Sequence, residues 1–206
     1  MTDTPAHAPR RANWRFMGLH PLRLMALGFG SGLAPKAPGT FGTLAGWALW
    51  LLIDRLFAPS SMAWAAIIVV GFFVGWWACT HTARAMAVSD PSAVVWDEII
   101  AFWIILAVAM PPMPIWPVSW YWAAQLVLFG LFRLFDAVKR GPVGWADSLF
   151  KPKPGQLPGW PQGFGIIFDD LVAAVCVLVV WFLALALLTH FVDPWPAGTH
   201  FRVVPA

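Results

Sequence analysis

The stretch GFGIIFDDLVAAV, residues 163–175, contains two adjacent aspartates, Asp169 and Asp170, near the start of a long apolar run. The run covers residues 166–191, which exceeds the roughly 20 residues that a helix needs to cross the hydrocarbon layer of a membrane. Because backbone groups in lipid must find their hydrogen bonds within the same segment, the run predicts a helix. The two carboxylates at its entrance then need a compensating charge or ligand.

The composition is that of an all-α integral membrane protein. Hydrophobic residues make up 60% of the 206 residues and charged residues only 11%, against roughly 25% charged residues in soluble domains. Apolar runs lie at 41–57, 62–80, 94–110, 116–135 and 166–191. They predict about four to five short transmembrane helices. The run at 94–110 carries Asp97 and Glu98 near its start, and whether it crosses the membrane fully stays open.

Three segments are expected along the chain: a polar basic N-terminal arm at 1–26, a single membrane-embedded domain at 27–191 and a short tail at 192–206. Lysine and arginine are concentrated before the first apolar run and between the fourth and fifth runs. The positive-inside rule therefore places the N-terminus and the connection at 137–165 in the cytoplasm. Proline and glycine are frequent over 151–165, which predicts a loop there.

Six of the ten acidic residues fall at helix ends that this orientation places on the cytoplasmic side. They are Asp90, Asp97, Glu98, Asp136, Asp169 and Asp170. The first two are seven residues apart, a spacing that would put them on one face of a helix. Any single one could complement a helix dipole, and Asp136 could simply pair with Arg133 or Lys139. Converging carboxylates, however, repel one another unless they share a cation.

The type of ligand indicates which cation the acids would share. Oxygen ligands without a histidine or cysteine set favour Mg²⁺ or Mn²⁺ over Zn²⁺. Magnesium sites commonly combine a few carboxylates with phosphate oxygens of a substrate. The acidic cluster therefore predicts a divalent cation and a phosphate-containing substrate.

The glycine-rich stretch GFGSGLAPKAPGTFGTLAG, residues 28–46, could contact that phosphate. Gly30 and neighbouring glycines would let the backbone approach an anion, Lys36 supplies a positive charge, and Thr40 offers a hydroxyl group. The same glycines also suit a loop, and Gly42 and Gly46 suit close helix packing, so both interpretations stay open. His81 could orient a carboxylate or protonate a leaving oxygen, or it could simply pack.

The sequence shows no obvious covalent nucleophile. Four residues separate Cys79 from Arg84, whereas cysteine-dependent phosphatases have five between these residue types. A D-x-D-x-T motif for an aspartyl nucleophile is also missing. Metal-assisted attack by water remains, with a carboxylate accepting the proton of the water. We expect Asp97, Asp170 and His81 to be the catalytic residues.

Several motifs together resemble the phosphatidylglycerophosphatase A family. They are the glycine-rich stretch at 28–46, VVWDE at 94–98, FRLFDAVK at 132–139, PVGWAD at 142–147 and GFGIIFDDLVAA at 163–174. Their order and spacing are similar to the family pattern from about residue 27 to residue 188. The chain departs from that pattern at Arg140 and Gln162, and it contains an apparent insertion at 151–161.

The resemblance implies a Mg²⁺-dependent phosphatase of the bacterial inner membrane that hydrolyses phosphatidylglycerophosphate to phosphatidylglycerol. Its partners would be the membrane and a phospholipid in the cytoplasmic leaflet, with no nucleic acid involved. The resemblance places function on Asp97, Glu98, Asp136, Lys139, Asp169 and Asp170. The acids of this set are the expected metal ligands, and Lys139 joins Gly30, Lys36 and Thr40 as an expected substrate contact.

A cation- or proton-coupled transporter is the main alternative, because acids within membrane segments often line ion paths. A transporter is expected to place ionisable groups near the middle of its spans. The middle parts of the apolar runs carry none, which favours chemistry at the membrane surface. A structural assembly protein would explain the hydrophobicity but not the acids, and the sequence leaves the oligomeric state open.

Overall fold

The structure is a computed structural model that describes residues 11–110, 118–151 and 156–191. Within these ranges it is entirely helical, as the sequence predicts. The α-helices are α1 (Trp14–Gly18), α2 (Pro21–Ala26), α3 (Pro38–Phe57), α4 (Ser61–Met86), α5 (Trp96–Ala109), α6 (Val118–Val138), α7 (Pro142–Leu149) and α8 (Trp160–Phe191). A 3₁₀ turn at Gly28–Leu33 joins α2 to α3.

Three helices are long and apolar enough to cross a membrane: α4, α6 and the Trp160–Leu188 part of α8. Large apolar side chains on their surfaces, such as Phe73, Val127 and Leu183, are more than half exposed. Such a surface suits contact with lipid, because a helix in water would hide this area. The predicted architecture of several short transmembrane helices is thus confirmed in outline.

Helix α5 occupies the centre of the bundle. It packs against α3, α4, α6 and α8, and its buried residues include Phe102, Ile105 and Leu106. It has 14 residues, which gives a length of about 21 Å, short of the roughly 30 Å of a hydrocarbon layer. The apolar run at 94–110 therefore forms a helix enclosed by its neighbours, and its high hydrophobicity reflects burial in protein.

Helix α3 lies close to α5 because glycines face it. A Cβ atom on Gly46 would stand 3.1 Å from the Ile99 side chain, and one on Gly42 would overlap Val95. The Trp103 indole Nε1 donates a hydrogen bond to the Gly46 carbonyl at 2.7 Å. Of the two interpretations of these glycines, close helix packing is the one that the structure supports. The packing brings the start of α3 beside the start of α5.

The predicted loop at 151–165 is wrong over its last six residues, because α8 begins at Trp160. Pro161 occupies the first turn, where a missing backbone N–H costs little. Gly163 and Gly165 lie against Thr80 and Phe150, with no room for a Cβ atom. These glycines serve packing and do not interrupt the helix, so Asp169 and Asp170 lie well inside α8.

The two short N-terminal helices fall within the segment expected to be a polar arm. Phe16 and Met17 on α1 and Leu22 on α2 are buried, and α2 packs against α4. Arg23 lies 4.3 Å from the centre of the Phe16 ring. Part of this basic segment therefore packs onto the helical domain. The expected tail at 192–206 lies outside the described residues.

Candidate functional site

A cavity of about 290 Å³ lies where the ends of several helices meet. Its wall is formed by the first turn of α3, the connection before α5, the first turn of α5, the end of α6 and the third turn of α8. All six acids that the sequence places on one side line it: Asp90, Asp97, Glu98, Asp136, Asp169 and Asp170. Arg133 and Lys139 also line this cavity. The convergence of acids that the charge pattern predicts is therefore present.

Asp90 reaches the cavity by a different route from the predicted one. Helix α5 begins only at Trp96, so Asp90 does not share a helix face with Asp97. It lies in the connection between α4 and α5, where Pro91 follows it and opposes helical backbone at residue 90. The carboxylate is mostly exposed, at 61% of its side-chain area, and it contributes to the rim of the cavity.

Arg133 connects three of the helices that form the site. Its Nη1 lies 3.1 Å from Glu98 Oε1 and 2.8 Å from Asp136 Oδ2, and it donates to Thr43 Oγ1 at 3.3 Å. The Thr43 hydroxyl lies 3.5 Å from Glu98 Oε2. Burial raises the pKa of Glu98 to about 7, and the Arg133 charge partly offsets that rise. Glu98 and Asp136 thus already have a cationic partner.

Lys139 neutralises a second group of acids. Its Nζ lies 2.6 Å from Asp169 Oδ2, 3.1 Å from Asp147 Oδ1 and 4.0 Å from Asp90 Oδ2. Burial alone would lower the pKa of Lys139, but Asp169 and its neighbours hold it above the usual value. Lys139 directly follows α6 and has a φ of +43°, a left-handed conformation that is costly for a residue with a Cβ. The ion pairs with these acids help to hold it there.

Asp147 joins the site from α7, and Lys151 extends the ion-pair chain outward. Lys151 Nζ lies 2.7 Å from Asp147 Oδ2. Burial would raise the pKa of Asp147, but hydrogen bonds from Lys151 and Lys139 bring it below the usual value. Asp147 therefore has two cationic partners, and it does not compete with the inner acids for a further ligand.

Three buried carboxylate oxygens have no hydrogen-bond partner among the described residues: Asp97 Oδ1, Asp169 Oδ1 and Asp170 Oδ2. Burial, and then the charges of Glu98 and Asp169, raise the pKa of Asp97 well above its usual value. A buried carboxylate without a partner is costly, since it has lost water and gained nothing in return. Asp97, Asp169 and Asp170 are therefore the residues of the cavity wall whose carboxylates need a further partner.

The donor set fits a hard divalent cation only as part of a larger coordination shell. Within the described ranges, no group of three or more His, Cys, Asp or Glu side chains is arranged to hold a metal ion alone. Magnesium usually keeps several waters and takes one or two carboxylates together with substrate phosphate oxygens. The free oxygens of Asp97, Asp169 and Asp170 suit that mode of binding, because they are hard ligands that need no further protein group.

Four expected site residues do not line the cavity: Gly30, Lys36, Thr40 and His81. The His81 ring stacks on His20 at 4.3 Å between ring centres. Gly30 has a φ of +107°, and a Cβ there would stand 2.8 Å from the Trp14 ring. Gly30 therefore serves a tight turn beside Trp14. Lys36 is exposed and Thr40 is partly buried.

Arg133 and Gly39 complete the wall that the sequence left incomplete. A Cβ on Gly39 would collide with the Glu98 carboxylate and stand 2.8 Å from Arg133 Nη2. The spacing of three residues between Arg133 and Asp136 is a sequence signal for their ion pair. The contact of Arg133 with Glu98 had no such signal, because the two are 35 positions apart in the sequence.

Comparison with known proteins identifies the relatives of this chain. The family model described as Phosphatidylglycerophosphatase A matches residues 24–185. A Haemophilus influenzae protein named Phosphatidylglycerophosphatase A is 36% identical over 164 residues, which cover 80% of this chain and 88% of that protein. An Escherichia coli protein of the same name is 34% identical over 198 residues, which cover 96% of this chain and 98% of that protein.

A further relative carries a different name. A Bacteroides thetaiotaomicron protein, provisionally named a phosphatidylinositol-3-phosphatase, is 35% identical over 154 residues. The match covers 74% of this chain and 86% of that protein. No solved structure matches the chain. Both names describe the removal of phosphate from a lipid headgroup.

Proposed function

The chain belongs to the phosphatidylglycerophosphatase A family, and we propose that its acidic cavity hydrolyses phosphatidylglycerophosphate to phosphatidylglycerol and phosphate with the help of Mg²⁺. As a member of that family it is a phosphatidylglycerophosphatase, a hydrolase of phospholipid metabolism. The family and the apolar helices account for the activity and for the membrane setting. The cavity supports the choice of metal and the roles of individual residues.

One observation carries the proposal: three buried carboxylates with a free oxygen line the same cavity as two cationic side chains. Among the described residues that line the cavity, six carboxylates face two cationic side chains, Arg133 and Lys139, so a phosphate dianion would be repelled from the cavity as it stands. A divalent cation would offset part of that negative charge and could bind the phosphate oxygens directly. The arrangement therefore favours a phosphate substrate that binds together with a metal ion.

We assign Mg²⁺ to one or two of the carboxylates of Asp97, Asp169 and Asp170, completed by water and phosphate oxygens, because each has a carboxylate oxygen without another partner among the described residues. Glu98 and Asp136, also expected as ligands, are occupied by Arg133 and serve to hold that guanidinium in place. When bound, Mg²⁺ would withdraw charge from the phosphoryl group and so favour attack on phosphorus.

The residues of the chain supply the proton chemistry. Water attacks the phosphorus atom, the bond between phosphorus and the glycerol oxygen breaks, and that oxygen leaves as an alcohol after it receives a proton. A general base must lie within hydrogen-bonding reach of the water. Asp97 and Asp170 each have a buried oxygen without a partner among the described residues, and whichever of the two carboxylates does not bind the metal would serve as this base. Lys139 keeps Asp169 in its charged form through the ion pair at 2.6 Å.

We place the protein in the bacterial inner membrane with the cavity facing the cytoplasm. The relatives are bacterial, and three helices are long and apolar enough to cross a membrane. Lysine and arginine accumulate near the cavity end of the helices, at Lys139, Arg140 and Lys151, as the positive-inside rule expects for a cytoplasmic face. The substrate would then enter from the cytoplasmic leaflet.

Phosphate release by the purified protein in detergent tests the proposal. Phosphatidylglycerophosphate, phosphatidic acid, phosphatidylinositol 3-phosphate and soluble glycerol phosphate are compared at one Mg²⁺ concentration, with Asp97→Asn as the inactive control. We expect the highest kcat/KM for phosphatidylglycerophosphate. Faster hydrolysis of any other of these substrates would refute the assignment, and equal rates with Asp97→Asn would place the activity elsewhere.

A further inference from the structure

A second cavity of about 230 Å³ adjoins the acidic cavity. Asp90 and Asp169 line both cavities, so the two lie side by side. Each is smaller than the roughly 300–1,000 Å³ of a typical small-molecule site, whereas the two together fall within that range. The proposed hydrolysis takes place in the acidic cavity and leaves the second cavity without a role.

The charges around the second cavity suit a neutral group better than an anion. Three acids line it, Asp90, Asp147 and Asp169, and Lys151 is the cation among its described lining residues. Lys139, which lines the acidic cavity, already contacts all three acids, and Lys151 contacts Asp147. A second phosphate would therefore meet more carboxylate charge than cationic charge. A hydroxyl group, in contrast, can donate to a carboxylate and accept from an amide or ammonium group.

Gln162 brings a hydrogen-bond donor to the second cavity, which it lines. It lies in the first turn of α8, where its side-chain Oε1 accepts a hydrogen bond from the Gly159 backbone N–H at 2.9 Å. That contact fixes the amide group, and within the described ranges the structure records no partner for Nε2. Asp169 is 5% exposed, and its Oδ1 has no partner among the described residues either. The wall thus combines an available donor with an available acceptor.

The proposed substrate has a neutral group next to the phosphate that is released. In phosphatidylglycerophosphate, a glycerol unit with one free hydroxyl group joins this phosphate to the phosphodiester of the lipid. A phosphate held beside the metal in the acidic cavity therefore has the glycerol as its direct neighbour. Phosphatidic acid, in contrast, has no headgroup glycerol.

We propose that the second cavity binds this linking glycerol, with Gln162 Nε2 donating a hydrogen bond to its free hydroxyl group. The inference rests on the proposed function and adds a residue that recognises the headgroup. It also gives a physical reason for a preference over phosphatidic acid, because that lipid would leave the second cavity without its ligand.

A pair of substrates tests the contact: phosphatidylglycerophosphate and an analogue in which hydrogen replaces the free hydroxyl group of the linking glycerol. In the wild type we expect kcat/KM to be about fivefold or more lower for the analogue, because a hydrogen bond is lost and its donor is left unsatisfied. Gln162→Met keeps the length of the side chain and removes the amide. The ratio of the two kcat/KM values should then shrink to about twofold or less. Phosphate release is measured in detergent with Mg²⁺.

Gln156→Met is the matched control, since Gln156 is exposed and lies outside the described lining of the second cavity. It should keep the wild-type ratio. Equal losses on both substrates in Gln162→Met, with the ratio unchanged, would overturn the inference, because Gln162 would then act only through the start of α8. Equal kcat/KM values for the two substrates in the wild type would overturn it as well.

Thiol labelling gives a second measurement that does not depend on turnover. Ser89 lines the second cavity, so with Cys79 and Cys176 replaced, N-ethylmaleimide should label Ser89→Cys several-fold more slowly in micelles with phosphatidylglycerol than with phosphatidic acid. Ser148→Cys, exposed on α7, should react equally in both. Equal labelling of Ser89→Cys in the two lipids would overturn the inference. Protection by phosphatidylglycerol in a protein that fails to hydrolyse phosphatidylglycerophosphate would refute the proposed function and leave this glycerol site supported.

Discussion

The two ends of the central helix α5 illustrate opposite uses of burial. Toward its C-terminal half the bundle is filled with aromatic rings: Trp50 stacks on Trp64 at 3.5 Å between ring centres, and Trp103 packs edge-on against Trp64. At its N-terminus, Asp97 and Glu98 are buried beside further acids. Burial of the aromatic rings stabilises the folded protein. The acidic region costs free energy until a ligand binds, which is typical of a functional site.

The largest expected effect is on turnover at the acidic end. Asp97→Asn and Asp170→Asn keep the size of the side chain and remove its charge. Each should lower kcat by about a hundredfold or more, from the loss of about 3 kcal/mol of electrostatic stabilisation. Phosphate release is measured at matched protein levels. Asp54→Asn, at the opposite end of α3 and exposed, is the control and should stay within about twofold of the wild-type rate.

The double variant Asp97→Asn/Asp170→Asn sharpens the claim that the two carboxylates act together. Its loss should be much smaller than the product of the two single losses, because a site without its ion has little activity left to lose. The comparison uses kcat/KM of the wild type, both single variants and the double variant. Losses that multiply fully would mean that Asp97 and Asp170 act independently.

A substitution at the aromatic end should lower stability and leave turnover nearly unchanged, and a substitution at the acidic end should do the reverse. Trp50→Ala should lower the free energy of unfolding by about 3 kcal/mol or more, because it opens a cavity beside Trp64 and Trp103, while kcat of the folded protein stays within about twofold. In the presence of a chelator, Asp97→Asn should match or exceed the wild type in thermal midpoint, because a buried unpaired charge is gone. Thermal unfolding in detergent measures both. A lower midpoint for metal-free Asp97→Asn would contradict the account of the acidic end.

The smallest effect concerns the position of the acidic end relative to the membrane. Ser148 is exposed near the end of α7, so Ser148→Cys should keep activity within about twofold. With the native Cys79 and Cys176 replaced, an impermeant thiol reagent should label it only after the cells are opened. Ready labelling in intact cells would contradict the proposed orientation and place this end of the protein outside the cytoplasm.

The sequence predicted the parts of the molecule that depend on local composition. The apolar runs predicted α4, α6 and α8, and the six acids converge as expected, although Asp90 lies in a connection and Asp169 and Asp170 lie inside α8. The start of α8 was mispredicted because Gly163 and Gly165 resemble helix breakers, whereas Thr80 and Phe150 fill the space beside them. That compensation comes from other helices and leaves no local signal.

The sequence predicted the acids of the site but only part of their pairing with cations, since it offered Arg133 as a partner of Asp136 and gave no partner for Glu98. Asp97 and Asp170 are conspicuous because charges are rare in apolar runs. The contact of Arg133 with Glu98 depends on how α5 and α6 pack, and the close approach of Glu98 to Gly39 depends on α3 lying against α5. His81 was an attractive candidate by residue type, but its ring stacks on His20 and it does not line the cavity.

The Mg²⁺ dependence of phosphatidylglycerophosphate hydrolysis tests the central claim most directly, since the acidic cavity is proposed to work only with a shared cation. Purified full-length protein in detergent is assayed in EDTA and then with Mg²⁺ or Ca²⁺ added in excess. We expect EDTA to abolish phosphate release and Mg²⁺ to restore it, with Ca²⁺ a poor substitute because its bonds are longer and its coordination looser. Full activity in EDTA would contradict the account.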